Sequence, residues 1–128
     1  MIRTVLIDDE KECIDTLGAD LKLYCPSIEV VEVCNSAKQG VVTIRNTNPD
    51  LVFLDIEMPH MNGFDVCRKL RTYPGYANTP VIYVTAHHDF ECRSSGTLAG
   101  GNDFIAKPIF PLELALKAVM HLIKSHLG

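Results

Sequence analysis

The chain has 128 residues, of which 47% are hydrophobic, and a formal net charge of −4; this composition suits one globular domain with its own core and excludes a disordered chain. The twelve Lys and Arg residues are scattered, so no basic surface for nucleic acid is predicted. The five cysteines are odd in number and lack CxxC spacing, which favours buried thiols in a reducing cytosol; neither a signal peptide nor an apolar stretch of transmembrane length is predicted.

The first part of the chain predicts two strand–helix units. Apolar runs at 3–7 and 28–34 predict buried strands, and the helix between them is expected to end at Pro26. Ser36 and Gln39 have the spacing of a capping box at the start of the second helix. The expected inner stripes consist of Cys13, Leu17, Leu21 and Tyr24 on helix 1, and of Ala37, Gly40, Val41 and Ile44 on helix 2.

Three more apolar runs continue this alternation. Residues 51–54, 81–84 and 103–106 predict strands, and a third helix is expected to begin near Asn62–Gly63. The turn into the first of these strands is assigned to 48–50, where Asn and Asp flank a proline. The expected buried residues of helix 3 are Phe64, Cys67 and Leu70.

The last two helices differ in the strength of their signals. Helix 4 is expected within 88–98, although Ser94, Ser95 and Gly96 are poor residues for a helix interior. Pro111 suits the first turn of helix 5. The inner stripe expected for helix 5 is Leu112, Ala115, Leu116, Val119 and Ile123.

Alternating strands and helices predict an α/β fold. We expect a five-stranded parallel sheet, doubly wound, with helices on both faces and right-handed crossovers. The whole chain, 1–128, is expected to form a single domain, since no linker, repeat or low-complexity segment is found.

Polar residues follow four of the predicted strands. Asp8 and Asp9 end the first, Asp55 the third, Thr85 the fourth and Lys107 the fifth. In an open parallel sheet, ligands bind outside the carboxyl ends of the strands. Carboxylates gathered there repel one another unless a cation lies among them, and a hydroxyl and an ammonium suit a phosphoryl group. The pattern predicts a Mg²⁺-dependent phosphoryl site.

Four segments carry a resemblance to a known family. Val5–Glu10, Pro49–Gly63, Val84–Ala86 and Asp103–Pro108 resemble the motifs of the receiver domain of bacterial two-component response regulators, in the same order and at the same strand ends. The resemblance spans about residues 3 to 125 and implies a flavodoxin-like, CheY-like (βα)5 fold. The segment Met58–Pro59 and Gly63 look like the loop beside the phosphoacceptor.

The resemblance implies the chemistry of the site. Asp55 would be the phosphoacceptor and attack a phosphohistidine of a partner kinase. Asp8, Asp9 and Asp55, with the backbone carbonyl of Glu57, would hold Mg²⁺, for which Mn²⁺ or Ca²⁺ could substitute. Lys107 would pair with the phosphoryl oxygens and, without them, with Asp55.

The resemblance also implies a switch. Thr85, Ala86, Phe104 and Lys107 correspond to the family's phosphoryl-binding and switch positions, and the bond before Pro108 is expected to be cis. Phe104 stands where Tyr is commoner, so the ring has no hydroxyl. The implied partners are a sensor histidine kinase or phosphotransfer protein, with a homodimer through helix 4, strand 5 and helix 5, in the cytoplasm and without direct contact to nucleic acid or membrane.

Other interpretations remain open at this point. A phosphatase of the haloacid-dehalogenase type also combines an Asp nucleophile, a Lys and Mg²⁺, but carries Asp-x-Asp on its first strand. A pseudo-receiver would lack acceptor-site residues, all of which are present here. The pair His87–His88 is interpreted as a solvated loop rather than a metal or phosphohistidine site. The output is open among a stand-alone receiver, a relay module and one piece of a longer regulator or hybrid kinase. The first half of the chain resembles receivers that precede LytTR-type DNA-binding domains, whereas residues 100–114 resemble receivers attached to kinases.

Overall fold

A computed structural model describes residues 1–86 and 89–127 and contains five strands and five helices within them. The strands are β1 (Ile2–Ile7), β2 (Ile28–Cys34), β3 (Leu51–Leu54), β4 (Val81–Thr85) and β5 (Asp103–Ala106). The helices are α1 (Lys11–Tyr24), α2 (Ala37–Thr47), α3 (Gly63–Arg71), α4 (Phe90–Leu98) and α5 (Pro111–Leu127).

The strands form one parallel sheet in the order β2-β1-β3-β4-β5. The predicted five-stranded parallel sheet is therefore confirmed. β1, β3 and β4 are interior strands, and β3 and β4 are buried along their whole length, as expected of a parallel sheet covered on both faces. The order reverses between β1 and β3, so the carboxyl ends of these two strands flank a crevice.

Two apolar layers enclose the sheet. One consists of side chains from α2, α3 and α4 together with Val5, Ile7, Val52 and Leu54. The other consists of side chains from α1 and α5 together with Leu6, Leu51 and Phe53. Alternate residues of β1 and β3 enter opposite layers because successive side chains of a strand point to opposite faces.

Side-chain caps mark the starts of α2, where the cap was predicted, and of α3. The Ser36 hydroxyl accepts a hydrogen bond from the Gln39 amide at 3.2 Å, and the Asn62 side chain accepts one from the Asp65 amide at 3.0 Å. The inner residues predicted for α2 are all buried. In α1, Leu17 and Leu21 are buried and Cys13 is half-buried, but Tyr24 at the last turn is 53% exposed, so its assignment to the stripe was wrong.

The inner stripe predicted for α5 was wrong. The helix buries Leu114, Ala118 and Leu122, whereas Leu112, Leu116, Val119 and Ile123 are exposed and Ala115 lies at the margin. α5 is apolar on two faces, so periodicity alone does not choose between them. Polar contacts to β5 fix the rotation: His121 Nε2 lies 2.7 Å from an Asp103 carboxylate oxygen, and the Lys117 ammonium donates to the Phe104 carbonyl.

Candidate functional site

The three carboxylates meet where β1 and β3 end. Ile7 and Leu54 are register partners, so Asp8 and Asp55 follow neighbouring strand ends directly. The Asp55 amide donates to the Ile7 carbonyl at 2.8 Å, and the Asp8 amide donates to the Cys34 carbonyl at 3.0 Å. These backbone bonds hold both side chains at the sheet edge. Asp8 and Asp55 are buried, whereas Asp9 is exposed.

Lys107 reaches this cluster from the end of β5. Its amide donates to the Thr85 carbonyl at 2.9 Å, and the Lys107–Pro108 peptide bond is cis. Its ammonium lies 3.0 Å from an Asp8 oxygen, 3.6 Å from an Asp55 oxygen and 4.0 Å from a Glu10 oxygen. The expected ion pair of Lys107 with Asp55 is present, and Lys107 also makes a shorter contact, a hydrogen bond, with Asp8.

The local charges oppose one another at Asp55. Burial and the nearby Asp8 charge raise the pKa of Asp55 to about 7, although the Lys107 ammonium acts in the opposite direction. Burial lowers the pKa of Lys107, but its hydrogen bond to Asp8 and the charge of Asp55 outweigh that effect and raise it. Without a further cation the cluster therefore carries more negative charge than one ammonium balances.

The donor set fits a hard divalent cation. Carboxylate oxygens of Asp8, Asp9 and Asp55 lie within 4.8 Å of one another. Oxygen-only coordination by a few carboxylates, with remaining positions left to water, is what Mg²⁺ prefers. Glu57 is exposed and lies only two residues after Asp55 along the chain. Its backbone carbonyl therefore belongs to the segment that leaves the carboxyl end of β3.

Sequence analysis missed two members of this neighbourhood. Asp8, Glu10 and Cys13 form a second group whose ligand atoms lie within 4.8 Å of one another, and the Cys13 thiol is 3.5 Å from a Glu10 oxygen. Glu10 follows directly on the acidic pair, which could have signalled its presence. Cys13 was assigned to the core stripe of α1, and its half-buried position at the start of that helix could not be distinguished by periodicity.

The loop after Asp55 returns close to the acceptor. The Gly63 amide donates to the Ile56 carbonyl at 2.9 Å. A Cβ at position 63 would lie 2.4 Å from the Asp55 carbonyl oxygen, so only glycine permits this approach. Met58, in the same loop, is buried and Pro59 is exposed, which anchors one side of the loop to the core.

The switch positions lie at the ends of β4 and in β5. Thr85 and Phe104 are buried, and Ala86 is exposed. The Phe104 ring packs against Tyr83 with centroids 5.0 Å apart, and Phe64 meets Tyr83 edge-on at 5.4 Å. We call Phe64, Tyr83 and Phe104 the aromatic floor, because α4 lies on it through Gly96. His87 and His88, interpreted above as a loop, lie outside the described residues.

A protein-family model for the response regulator receiver domain matches residues 4–119. The chain belongs to this family. The receiver domain is 31% identical over its whole length to the uncharacterized transcriptional regulatory protein YvcP of Bacillus subtilis (strain 168), of which it covers 51%. It is 35% identical over 103 residues to the signal transduction histidine-protein kinase BarA of Escherichia coli (strain K12), covering 80% of this chain and 11% of that protein.

Solved receiver domains share the architecture. The signal receiver domain of a DNA-binding response regulator from Colwellia psychrerythraea 34H has a TM-score of 0.85 at 25% identity, covering 97% of this chain and 99% of that one. The chain spans about half the length of the curated relative YvcP and a smaller share of BarA. Family membership decides the class in favour of a signalling phosphoacceptor and against a dehalogenase-type phosphatase. Within the described residues, no helix combines the length and apolar character needed to span a membrane.

A second polar cluster of the receiver domain was also missed from sequence. Asp103 is bridged by His121 and by Lys117, whose ammonium lies 3.5 Å away. Burial raises the pKa of Asp103, but the His121 hydrogen bond, an amide hydrogen bond and Lys117 together lower it below its ordinary value. His121 lies among apolar residues in sequence, so no motif signalled its role in orienting α5.

Proposed function

We propose that residues 1–128 form one receiver domain that accepts a phosphoryl group from a sensor histidine kinase or a phosphotransfer protein onto Asp55 in a Mg²⁺-dependent reaction. The observation that carries this proposal is the geometry at Asp55. It is a buried carboxylate with two further carboxylates within 4.8 Å and an ammonium at 3.6 Å, at the carboxyl ends of parallel strands.

The proposed transfer is a nucleophilic displacement. A carboxylate oxygen of Asp55 attacks phosphorus, the bond from phosphorus to the donor nitrogen breaks, and an aspartyl phosphate forms. Asp8, Asp9, Asp55 and the Glu57 carbonyl would hold Mg²⁺, or Mn²⁺ or Ca²⁺ in its place, which supplies charge neutralisation. Lys107 favours the ionised form of Asp55 and would then bind a phosphoryl oxygen.

The domain would act on its own side chain rather than on an external metabolite. Phosphorylation and loss of the phosphoryl group would be the only reactions it catalyses. Five cysteines without CxxC spacing, three of them buried, suit a reducing compartment such as the cytoplasm. The proposed domain makes no direct contact with nucleic acid or membrane, because its basic residues are scattered and its net charge is −4.

The proposed output is a change of partner surface. Charge added at Asp55 would attract the hydroxyl of Thr85, which precedes Ala86, and the ring of Phe104 would then repack. The cis peptide bond before Pro108 would keep Lys107 in the site. α4 rests on the aromatic floor to which Phe104 belongs, which links this movement to the face made by α4, β5 and α5. That face would engage a partner or a second copy of the domain.

Phosphoryl uptake from acetyl phosphate tests the acceptor. Intact-mass measurement should show one added phosphoryl group on the wild type, with Mg²⁺ and not with EDTA, and none on Asp55→Asn. The matched control is Asp65→Asn, which changes an exposed carboxylate on α3 paired with Arg68 and should label as the wild type does. Equal labelling of wild type and Asp55→Asn would reject Asp55 as the acceptor.

A metal titration tests the acidic pair. Asp9→Ala should need a higher Mg²⁺ concentration for the same labelling rate, because it removes one oxygen ligand while leaving Asp55 in place. Tight Mg²⁺ binding unchanged from the wild type would remove Asp9 from the metal site while leaving the acceptor assignment intact.

A further inference from the structure

A groove of about 490 Å³ lies between α2 and α3, on the opposite face of the sheet from α1 and α5. We call it the α2–α3 groove. On the α2 side it is lined by Val41, which is buried, and by Val42, which is 55% exposed. Met61 and Tyr73, both half-buried, line the α3 side. The groove therefore has an apolar base, and its volume is in the ~300–1,000 Å³ range of concave sites that hold ligands.

The charged residues that line the α2–α3 groove are all cations. Lys38 and Arg45 lie on α2 and Lys69 lies on α3, and all three are exposed. Among the described residues, none of these three side chains has a carboxylate partner. Arg68, next to Lys69 in sequence, differs because it is paired with Asp65 at 2.8 Å. In a chain with a net charge of −4, this local excess of positive charge around a concave surface favours an anionic occupant.

Arg45 is held at the groove by an aromatic ring. Its guanidinium carbon lies 4.3 Å from the centroid of the Tyr73 ring, a distance at which the ring attracts the cation. A guanidinium fixed in this way loses less side-chain entropy on binding a carboxylate, to which it can donate two parallel hydrogen bonds. Arg45 is thus pre-organised to receive an acidic group.

The spacing of the cations matches an occupant that is itself a helix. Lys38 and Arg45 are seven residues apart, so they lie on the same side of α2, separated by about 10 Å along its axis. Val41 and Val42 come between them. Acidic residues seven positions apart on an amphipathic helix have the same separation and lie beside its apolar stripe. Lys69, across the groove on α3, would meet acidic residues on the other side of that stripe.

We propose that the α2–α3 groove binds an acidic amphipathic helix of a partner protein. The apolar stripe of that helix packs against Met61 and the two valines of α2, and its carboxylates pair with the cations of α2 and α3. The inference goes beyond the proposed function, because the groove contains none of the residues placed at the phosphoryl site. The groove also lies apart from the face made by α4, β5 and α5.

Chemical-shift mapping with the ¹⁵N-labelled full chain tests the contact. The probe is a short synthetic helical peptide that has a leucine stripe and glutamates seven positions apart on both sides of it. Amide shifts should change in a saturable way, cluster on α2, α3 and Met61, and weaken as salt is added. The same peptide with lysine in place of glutamate should leave these amides unchanged. No saturable change up to millimolar peptide, or changes centred on another face of the domain, would overturn the proposal.

Charge reversal on either side of the groove tests the role of the cations. Lys38→Glu and Lys69→Glu should each weaken binding of the peptide by roughly tenfold, because repulsion replaces an ion pair. Lys22→Glu makes the same charge change at an exposed position on α1 and should bind the peptide as the wild type does. Binding by Lys38→Glu and Lys69→Glu that equals the wild type, or an equal loss in Lys22→Glu, would contradict the assignment of the groove.

Two further measurements separate this proposal from its alternatives. Inorganic phosphate at the same concentration should move the groove amides less than the peptide does; equal shifts would show a site for a free anion and overturn the helix as occupant. Labelling of Asp55 by acetyl phosphate should be the same in all three variants, which also shows that they are folded. A wild type that binds the peptide but takes up no phosphoryl group would count against the proposed function alone.

Discussion

Asp55 is a buried carboxylate whose neighbours Asp8 and Lys107 act on its pKa in opposite directions. Its side chain is 4% exposed, lies near Asp8 and has the Lys107 ammonium at 3.6 Å. The net effect raises its pKa from 3.8 to about 7, so burial and repulsion outweigh the ammonium. Ionising this carboxylate in the absence of a metal ion costs free energy, because burial and the Asp8 charge both disfavour the charged form.

Asp55→Asn should therefore stabilise the metal-free protein in a pH-dependent way. The folded wild type binds more protons than the unfolded chain between the two pKa values, so its stability falls as pH rises from about 4 to 7 and stays low above that range. Asp55→Asn carries a neutral amide that does not titrate, so its stability should not fall with pH for this reason. The stability difference should be small near pH 4 and reach about 2–4 kcal/mol above pH 8, measured by urea unfolding in EDTA.

Asp65→Asn is the control for this comparison, since its exposed carboxylate should change stability little at any of these pH values. Saturating Mg²⁺ should narrow the gap between wild type and Asp55→Asn, because a cation that binds the folded wild type stabilises it. A pH-independent gap, or a less stable Asp55→Asn, would show that Asp55 is not strained in the metal-free fold.

At the scale of elements, α4 packs closely on the aromatic floor through Gly96. A Cβ at Gly96 would lie 2.4 Å from Phe104 Cζ and 2.9 Å from Tyr83 Cε2. The Tyr83 hydroxyl also donates to the Gly96 carbonyl at 3.2 Å. The glycine that weakened the sequence prediction of this helix is thus what lets it lie on the aromatic floor.

Gly96→Ala should destabilise the protein by about 1–3 kcal/mol, because the added methyl must displace two buried rings. Gly18→Ala is the matched control within α1, where a Cβ meets nothing within 4 Å; it should stabilise by about 0.5–1 kcal/mol through helix propensity. The two denaturation midpoints should move in opposite directions. A Gly96→Ala protein as stable as Gly18→Ala would mean that α4 does not rest on these rings.

The same element should respond to phosphorylation. Thr85 and Phe104 flank α4 in sequence. Of the apolar side chains of α4 that the structure describes, Cys92 is half-buried and Leu98 is exposed, so the local opening free energy of this helix should be low. Amide exchange with and without a beryllofluoride mimic should change over residues 85–106. Protection changes confined to α1 and α2 would contradict a switch that acts through α4, β5 and α5.

For the whole molecule, the sequence correctly predicted those elements whose residue pattern is compatible with only one structure. Apolar runs such as 51–54 have no polar face, so they suit only a buried strand, and the polar residue after each run marks the edge at which the site forms. α5 has two apolar faces, and contacts with Asp103 and the Phe104 carbonyl decide between them. The preference of Lys107 for Asp8 and the presence of Cys13 beside Glu10 depend on side-chain positions that no spacing encodes.

Location of the phosphoryl group is the most direct test of the account. After labelling with acetyl phosphate and Mg²⁺, borohydride reduction should convert the aspartyl phosphate to homoserine, which peptide mass spectrometry can place. We expect homoserine at position 55 alone, with none after labelling in EDTA. Homoserine at position 8 or 9, or equal conversion without Mg²⁺, would contradict the assignment of Asp55 as the acceptor and of its neighbours as the metal ligands.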